Sequence, residues 1–168
     1  MKSLQSIQKT FGIFKRLSKL AMTVSFLGAF FSILGVILCY TMGEDGVMGT
    51  VLTHMKAKNL EQMTATLLSD FVFCLTDGIL LLFTMQYFIE ELAAGTPFTQ
   101  KGAEMARSLG IKVMIMSLVA VIVSGVIHKC YGVAALSDIG NGATFIIGIC
   151  LILFSMILRY GAELEQKM

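Results

Sequence analysis

Hydrophobic residues in this chain fall into four long runs, separated by connections that are polar or rich in glycine. The runs cover about residues 20–42, 64–89, 109–127 and 142–158. A helix needs about 20 consecutive apolar residues to cross a bilayer core, with a range of about 17–25. The pattern therefore predicts an all-α integral membrane protein that forms a four-helix bundle.

Residues 1–19 precede the first run and mix apolar and basic positions at helical spacing. The apolar positions are Leu4, Ile7, Phe11, Phe14 and Leu17, and the basic ones are Lys2, Lys9, Lys15, Arg16 and Lys19. We expect an amphipathic interfacial helix that either only sets the topology or also binds anionic lipid. The expected organisation is this helix (1–19), a four-transmembrane-helix domain (20–160) and a short cytoplasmic tail (161–168).

The second run is unusual because two acids, Asp70 and Asp77, lie among its apolar residues. Asp70, Asp77 and Thr84 are seven residues apart and share one face of a helix. Acids at membrane depth rarely face lipid, and they commonly mark pathways for protons or cations. Ser117 and Ser124 of the third run also share a face, and their hydroxyl groups could complete an ion or proton site.

A structural explanation of the two acids stays open beside this functional one. In it, both acids hydrogen-bond to hydroxyl groups of neighbouring spans, namely Ser117, Ser124, Thr144 and Ser155. Asp70 lies nearer the end of its run than Asp77 does and could instead pair with Lys129 or His128 at the membrane edge.

Composition agrees with a membrane protein and argues against the common enzyme classes. Hydrophobic residues make up 56% of the chain and charged residues 14%, against about 25% charged in soluble domains. No nucleophile elbow, P-loop, dinucleotide fingerprint or His-Glu-x-x-His motif occurs, and both histidines, His54 and His128, lie outside the runs. We expect a non-enzymatic protein without a cofactor, a metal ion or direct nucleic-acid binding.

The basic residues are distributed unevenly among the connections. Ten of the 13 Lys and Arg residues lie in the N-terminal flank, near the start of the third run or in the tail; the other three are Lys56, Lys58 and Lys129. Cytoplasmic segments carry the excess of basic residues in membrane proteins. We therefore expect both termini, and the connection between the second and third runs, to be cytoplasmic.

The connection between the second and third runs contains clear helix boundaries. Gly95 is suited to end the second helix, and Pro97 prevents its continuation. Thr99 is a typical N-cap for the helix that follows. The sequence predicts a tight turn between these two helices.

Three short segments at the predicted cytoplasmic side are similar to a known protein family. They are Gly-Thr-Pro-Phe-Thr at 95–99, Arg-Ser-Leu-Gly at 107–110 and Leu-Arg-Tyr-Gly-Ala-Glu-Leu at 158–164. Together they resemble the YoaS-like family of bacterial four-helix membrane proteins, a family without an established biochemical activity. The resemblance implies an inner-membrane protein that is often encoded beside a small helix-turn-helix regulator, and it supplies no catalytic residues.

The first and last of these three segments, 95–99 and 158–164, also suggest a structural contact. We expect Phe98 to insert between helix ends, while Arg159, followed by the interfacial Tyr160, pairs with Glu90 or Glu91. Gly95, Pro97, Phe98, Arg159 and Tyr160 would then form a structural cytoplasmic motif.

The sequence favours a non-enzymatic interaction or regulatory component of the bacterial inner membrane. The alternative is a small oligomeric transporter or channel that uses Asp77 and Asp70 for a cation or proton. Besides the lipid bilayer, the partners left open are a membrane or cytoplasmic regulatory protein and further copies of the chain.

Overall fold

The described part of the chain is almost entirely helical. The computed structural model describes residues 2–42, 59–95, 99–134 and 140–165, with the side chains of residues 8–41, 59–95, 99–134 and 144–164. These residues form four helices, α1 (Lys2–Met42), α2 (Leu60–Ala94), α3 (Gln100–Cys130) and α4 (Gly140–Glu165). Each helix contains a segment long and apolar enough to cross a membrane. The chain is therefore an all-α, multi-pass membrane protein, as its hydrophobic pattern predicts.

The helices pack mainly against their neighbours along the chain. The principal contacts join α1 to α2, α2 to α3 and α3 to α4. Neighbouring helices are antiparallel, because Gln8 near the start of α1 contacts Gly95 at the end of α2, and Lys101 at the start of α3 contacts Glu90. We call the end of the bundle where α1 begins and α4 ends the terminal end, and the other the opposite end.

The first helix has no break at the expected boundary between residues 19 and 20. It is a single helix from Lys2 to Met42. At about 1.5 Å per residue it is about 60 Å long, roughly twice the thickness of a bilayer's hydrocarbon core. The basic segment is thus continuous with the helix that contains the first span. Similarly, residues 161–165, expected in the tail, belong to α4.

The N-terminal part of α1 packs against the last turns of α2. The rings of Phe11 and Phe14 lie 5.7 and 5.8 Å from the ring of Phe88, measured between centroids. Leu17, a further member of the predicted apolar face, remains exposed. Part of the predicted apolar face is therefore covered by protein, and the rest is available to lipid.

The turn between α2 and α3 has the predicted boundaries. Gly95 has a φ of 74°, in the left-handed region that glycine adopts without strain, and α2 ends there. The side chain of Thr99 accepts a hydrogen bond of 2.8 Å from the backbone N–H of Gly102.

The start of α2 has a cap that the sequence analysis did not assign. The side chain of Asn59 accepts a hydrogen bond from the backbone N–H of Gln62.

Small residues allow the helices to approach one another closely. A Cβ atom added at Gly28 of α1 would lie 3.0 Å from Cys74 Sγ of α2. A Cβ atom added at Gly110 of α3 would lie 2.8 Å from the carbonyl oxygen of Gly148 in α4. Close packing of this kind stabilises membrane helices, because lipid gives apolar side chains no hydrophobic reason to associate.

Most of the buried apolar residues in the described part of the chain belong to three clusters along the bundle. The cluster at the terminal end joins α2, α3 and α4, and consists of Tyr87, Ala103, Ala106 and Leu158. The middle cluster joins α2 to α3 through Leu80, Leu109 and Val113. The cluster towards the opposite end joins α1 to α2 through Cys39, Met63 and Leu67. The helix α2 takes part in all three and is the central element of the fold.

Candidate functional site

The residues Asp70, Asp77 and Thr84 form what we call the acid face of α2. Successive helical residues are about 100° apart, which places this face between the side that contacts α1 through Cys74 and the side that contacts α3 through Leu80. Asp77 is exposed, whereas Asp70 and Thr84 are half-buried. Asp77 therefore lies on the outer surface of the single chain and not in its interior.

Three of the hydroxyl groups considered for the acid site, those of Thr84, Ser117 and Ser155, donate to backbone carbonyl oxygens. Thr84 Oγ1 donates to the carbonyl of Leu80 at 2.9 Å, and Ser117 Oγ donates to that of Val113 at 2.7 Å. Ser155 Oγ likewise donates to the carbonyl oxygen three residues before it. Each of these bonds stays within one helix. For Thr84, Ser117 and Ser155, the hydrogen bonds that the structure shows are therefore made within their own helices and not to Asp70 or Asp77.

A buried polar cluster lies between α2 and α3 towards the opposite end. His128 is 7% exposed, and its Nδ1 lies 3.0 Å from the carbonyl oxygen of Ser124 and 3.3 Å from Ser69 Oγ. A carbonyl oxygen only accepts, so Nδ1 donates the hydrogen bond to it. Nε2 of the ring is buried and has no hydrogen-bond partner among the described residues. Among the described residues, Asp70 forms no ion pair with His128 or Lys129, the two partners expected for it.

Two tyrosines join α1 to the residue that follows α3 at the opposite end. The hydroxyl groups of Tyr40 and Tyr131 are 2.8 Å apart. This hydrogen bond raises the pKa of Tyr131 above its ordinary value. The bond brings α1 and α3, which are not neighbours along the chain, together at this end.

At the terminal end, Glu91 is buried where α2 ends and α3 begins. Its side chain is 4% exposed and lies against Gly102 in the first turn of α3. A helix N-terminus favours a nearby negative charge. Glu91 Oε2 has no hydrogen-bond partner among the described residues. Beside it, Glu90 pairs with Lys101 at 2.5 Å, and these four residues border an open cavity of about 470 Å³.

The expected contact of Arg159 with Glu90 or Glu91 is wrong. Arg159 Nε donates to Glu163 Oε1 at 3.3 Å, one turn further along the same helix. Tyr160 is exposed. Of the other members of the structural motif, Gly95 ends α2, while Pro97 and Phe98 lie outside the described residues.

Two grooves with basic side chains are present at the terminal end. On α1, Arg16 and Lys19 line a shallow groove of about 390 Å³ together with the apolar Leu20 and Val24. Between α3 and α4, a groove of about 240 Å³ includes two arginines. The sequence analysis anticipated basic residues on α1 but missed the second groove, because its arginines are 52 residues apart in the chain.

Comparison with protein-family models, with curated proteins and with solved structures gives no match to this chain. Within the described residues, no group of three or more His, Cys, Asp or Glu side chains is arranged to hold a metal ion. The candidate functional site therefore rests on the geometry of the acid face and of the terminal end.

Proposed function

We propose that this protein is a non-enzymatic component of the bacterial inner membrane that acts by associating with other membrane-embedded protein. Four helices able to span a membrane support this proposal. The excess of Lys and Arg at the terminal end favours a cytoplasmic location of both termini. The groove at Arg16 and Lys19 supports binding of anionic lipid by the N-terminal part of α1.

Membership of the YoaS-like family is part of this proposal. The segments that carry the resemblance contain Gly95, Arg107 and Arg159, which all lie at the terminal end of the bundle. A regulatory protein of the cytoplasm would meet the chain at that end.

The exposure of Asp77 is the observation that carries the proposed association. This residue lies in the middle of the second predicted span (64–89), where an uncovered carboxyl group would face hydrocarbon. Polar groups at this depth cost free energy unless they are hydrogen-bonded, and they commonly hold membrane helices together. We infer that a second copy of the chain covers the acid face.

Two-fold symmetry makes this pairing chemically consistent. Two copies inserted in the same direction, and related by an axis along the membrane normal, have equal residues at equal depth. Asp77 of one copy would then meet Asp77 of the other. A protonated carboxyl group can donate a hydrogen bond. The two carboxyl groups would therefore hydrogen-bond to each other when at least one of them carries a proton.

A transport function is the second candidate, and it uses the same face. Asp70, Asp77 and Thr84 follow one another at intervals of about 10 Å along α2. Copies that meet through this face would place these oxygen atoms along one line across the membrane. Such a line suits a proton or small cation.

Association is tested by energy transfer between labelled copies of the chain in liposomes. Asp77→Leu removes the hydrogen-bonding group and should weaken association about three- to thirty-fold, since interhelical hydrogen bonds in membranes contribute roughly 0.6–2 kcal/mol. Asp77→Asn keeps a donor and an acceptor and should associate like the unaltered chain. Gln86→Leu is the matched control, because Gln86 is an exposed polar residue of α2 outside the acid face.

Equal association of the unaltered chain and Asp77→Leu would refute the interface at the acid face. Proton or cation flux into the same liposomes separates the two candidate functions. Flux that Asp77→Asn abolishes while association persists would favour transport. Association without flux in any variant would favour the interaction function.

A further inference from the structure

The groove between α3 and α4 brings together two arginines, one from each helix. Arg107 and Arg159 are both exposed and line the groove with Gln100, Glu104 and Ser155. Two guanidinium groups and one carboxylate give the lining a net positive charge. The groove is therefore complementary to a small anionic group.

Both arginines lie where the helices are expected to leave the hydrocarbon region. Arg107 precedes the predicted span 109–127 by two residues, and Arg159 directly follows the predicted span 142–158. Phospholipid headgroups occupy the layer just outside the hydrocarbon core. The two positive charges are thus at the depth of lipid phosphate groups.

Apolar side chains continue from the arginines towards the membrane interior. Met156 lines the groove itself and is 62% exposed. Ile111 is exposed one turn beyond Arg107 on α3. An acyl chain could lie along these side chains while its headgroup occupies the groove.

The guanidinium groups retain donors for a ligand. Arg159 engages Glu163 through Nε, and its side chain is 70% exposed, so the two terminal nitrogens remain available to another acceptor. Arg107 takes part in neither of the two ion pairs found among the described residues. Guanidinium groups bind phosphate oxygens through paired hydrogen bonds, which a single ammonium group does not reproduce.

We propose that this groove binds the phosphate group of an anionic phospholipid, held between Arg107 and Arg159. The site is distinct from the groove at Arg16 and Lys19, and it does not depend on the association through the acid face. Basic pockets between transmembrane helices are a known means of recognising lipid headgroups. A lipid is favoured over soluble phosphate because the groove adjoins exposed apolar side chains.

Binding is measured by native mass spectrometry of the full chain in a non-ionic detergent. Phosphatidylglycerol and phosphatidylcholine with the same acyl chains are titrated separately. Arg107→Gln/Arg159→Gln removes both charges, and Arg107→Lys/Arg159→Lys keeps them. Lys101→Gln/Lys129→Gln is the control, because it lowers the net charge equally at residues that do not line the groove.

The unaltered chain should prefer phosphatidylglycerol. The double Gln variant should bind that lipid about ten- to thirty-fold more weakly at its tightest site, from roughly five-fold for each charge lost. The double Lys variant should bind with an affinity between those of the unaltered chain and the double Gln variant, because it keeps the charges but loses the paired hydrogen bonds, and the control should retain all of the binding. Unchanged thermal unfolding in lipid-free detergent verifies that each variant folds, and the single Gln variants give the same comparison if the double one does not.

Three results would overturn the proposal. One is equal binding of the two lipids by the unaltered chain, and another is unweakened phosphatidylglycerol binding by the Gln variants. The third is displacement of phosphatidylglycerol by millimolar inorganic phosphate, which would identify a site for a soluble phosphate instead.

Discussion

Gly110 and Gly148 face each other where α3 crosses α4, and neither position has room for a Cβ atom. A Cβ atom at Gly110 would lie 2.8 Å from the Gly148 carbonyl oxygen, and one at Gly148 would lie 3.0 Å from the Gly110 carbonyl oxygen. Backbone atoms cannot turn aside as the end of a flexible side chain can. This contact therefore sets the distance between the two helices.

Substituting either glycine by alanine should push the helices apart. We expect Gly110→Ala and Gly148→Ala each to lower the free energy of unfolding by about 1–3 kcal/mol. The double variant should lose less than the sum, because a shift of the helices that relieves one clash also relieves the other. Unfolding in detergent measures all three, with Gly125→Ala as the control on α3, where a Cβ atom meets nothing within 4 Å. Strictly additive losses would mean that the two glycines do not share one contact.

The close contact of Glu91 with Gly102 predicts a second clash, at the turn between α2 and α3. A Cβ atom at Gly102 would collide with the Glu91 carboxyl group and lie 2.8 Å from Thr99 Oγ1. Gly102→Ala should therefore lower the free energy of unfolding by about 1–3 kcal/mol. In a chain that already carries Glu91→Ala, the same substitution should cost less, since the carboxyl group is gone. An equal loss of unfolding free energy with and without Glu91→Ala would mean that the Glu91 carboxyl group is not the source of the clash.

Arg159→Ala should have little effect on stability. The ion pair of Arg159 with Glu163 is exposed and lies within one helix, and such pairs contribute about 0.3–0.5 kcal/mol. We expect a change in the free energy of unfolding no larger than this in lipid-free detergent. A loss several times larger would indicate that Arg159 has a second partner, such as Glu90 or Glu91, the residues that the sequence analysis assigned to it.

The orientation of the chain in the membrane is testable at Cys130. This residue is exposed at the opposite end of α3, next to Lys129. With Cys130 as the sole cysteine, a membrane-impermeant maleimide should label the chain in intact spheroplasts if that end faces outwards. A second variant with Lys101→Cys as the sole cysteine should react only after the membrane is permeabilised. The reverse result would invert the proposed topology.

Local signals in the sequence were sufficient to predict the fold. The four spans, the end of α2 at Gly95 and the cap at Thr99 depend on hydrophobicity and on hydrogen bonds within a few residues, so they can be read directly from the chain. The continuity of α1 could not be read in this way, because an amphipathic basic segment suits both a surface helix and the extension of a span.

The candidate sites depend on how each helix is rotated about its axis, which one sequence does not reveal. Spacing placed Asp70, Asp77 and Thr84 on one face but could not show that Asp77 is exposed while Asp70 and Thr84 are half-buried. The partner of Arg159 was assigned by charge across the bundle, whereas the nearest acid is on its own helix. The contact of Glu91 with Gly102 needed the crossing of α2 and α3, for which the sequence offers no local signal.

The packing of each helix on its predecessor has a consequence for biosynthesis. A chain emerging from the ribosome presents α1 first, and α2 already has its main packing partner when it enters the membrane. The helix α3 likewise finds α2 in place when it enters, although its larger contact is with α4, and α4 then finds α3 in place as its main partner. Contacts between neighbouring segments also form faster than contacts between distant ones. Assembly of this protein can therefore proceed in step with translation, one helical hairpin at a time.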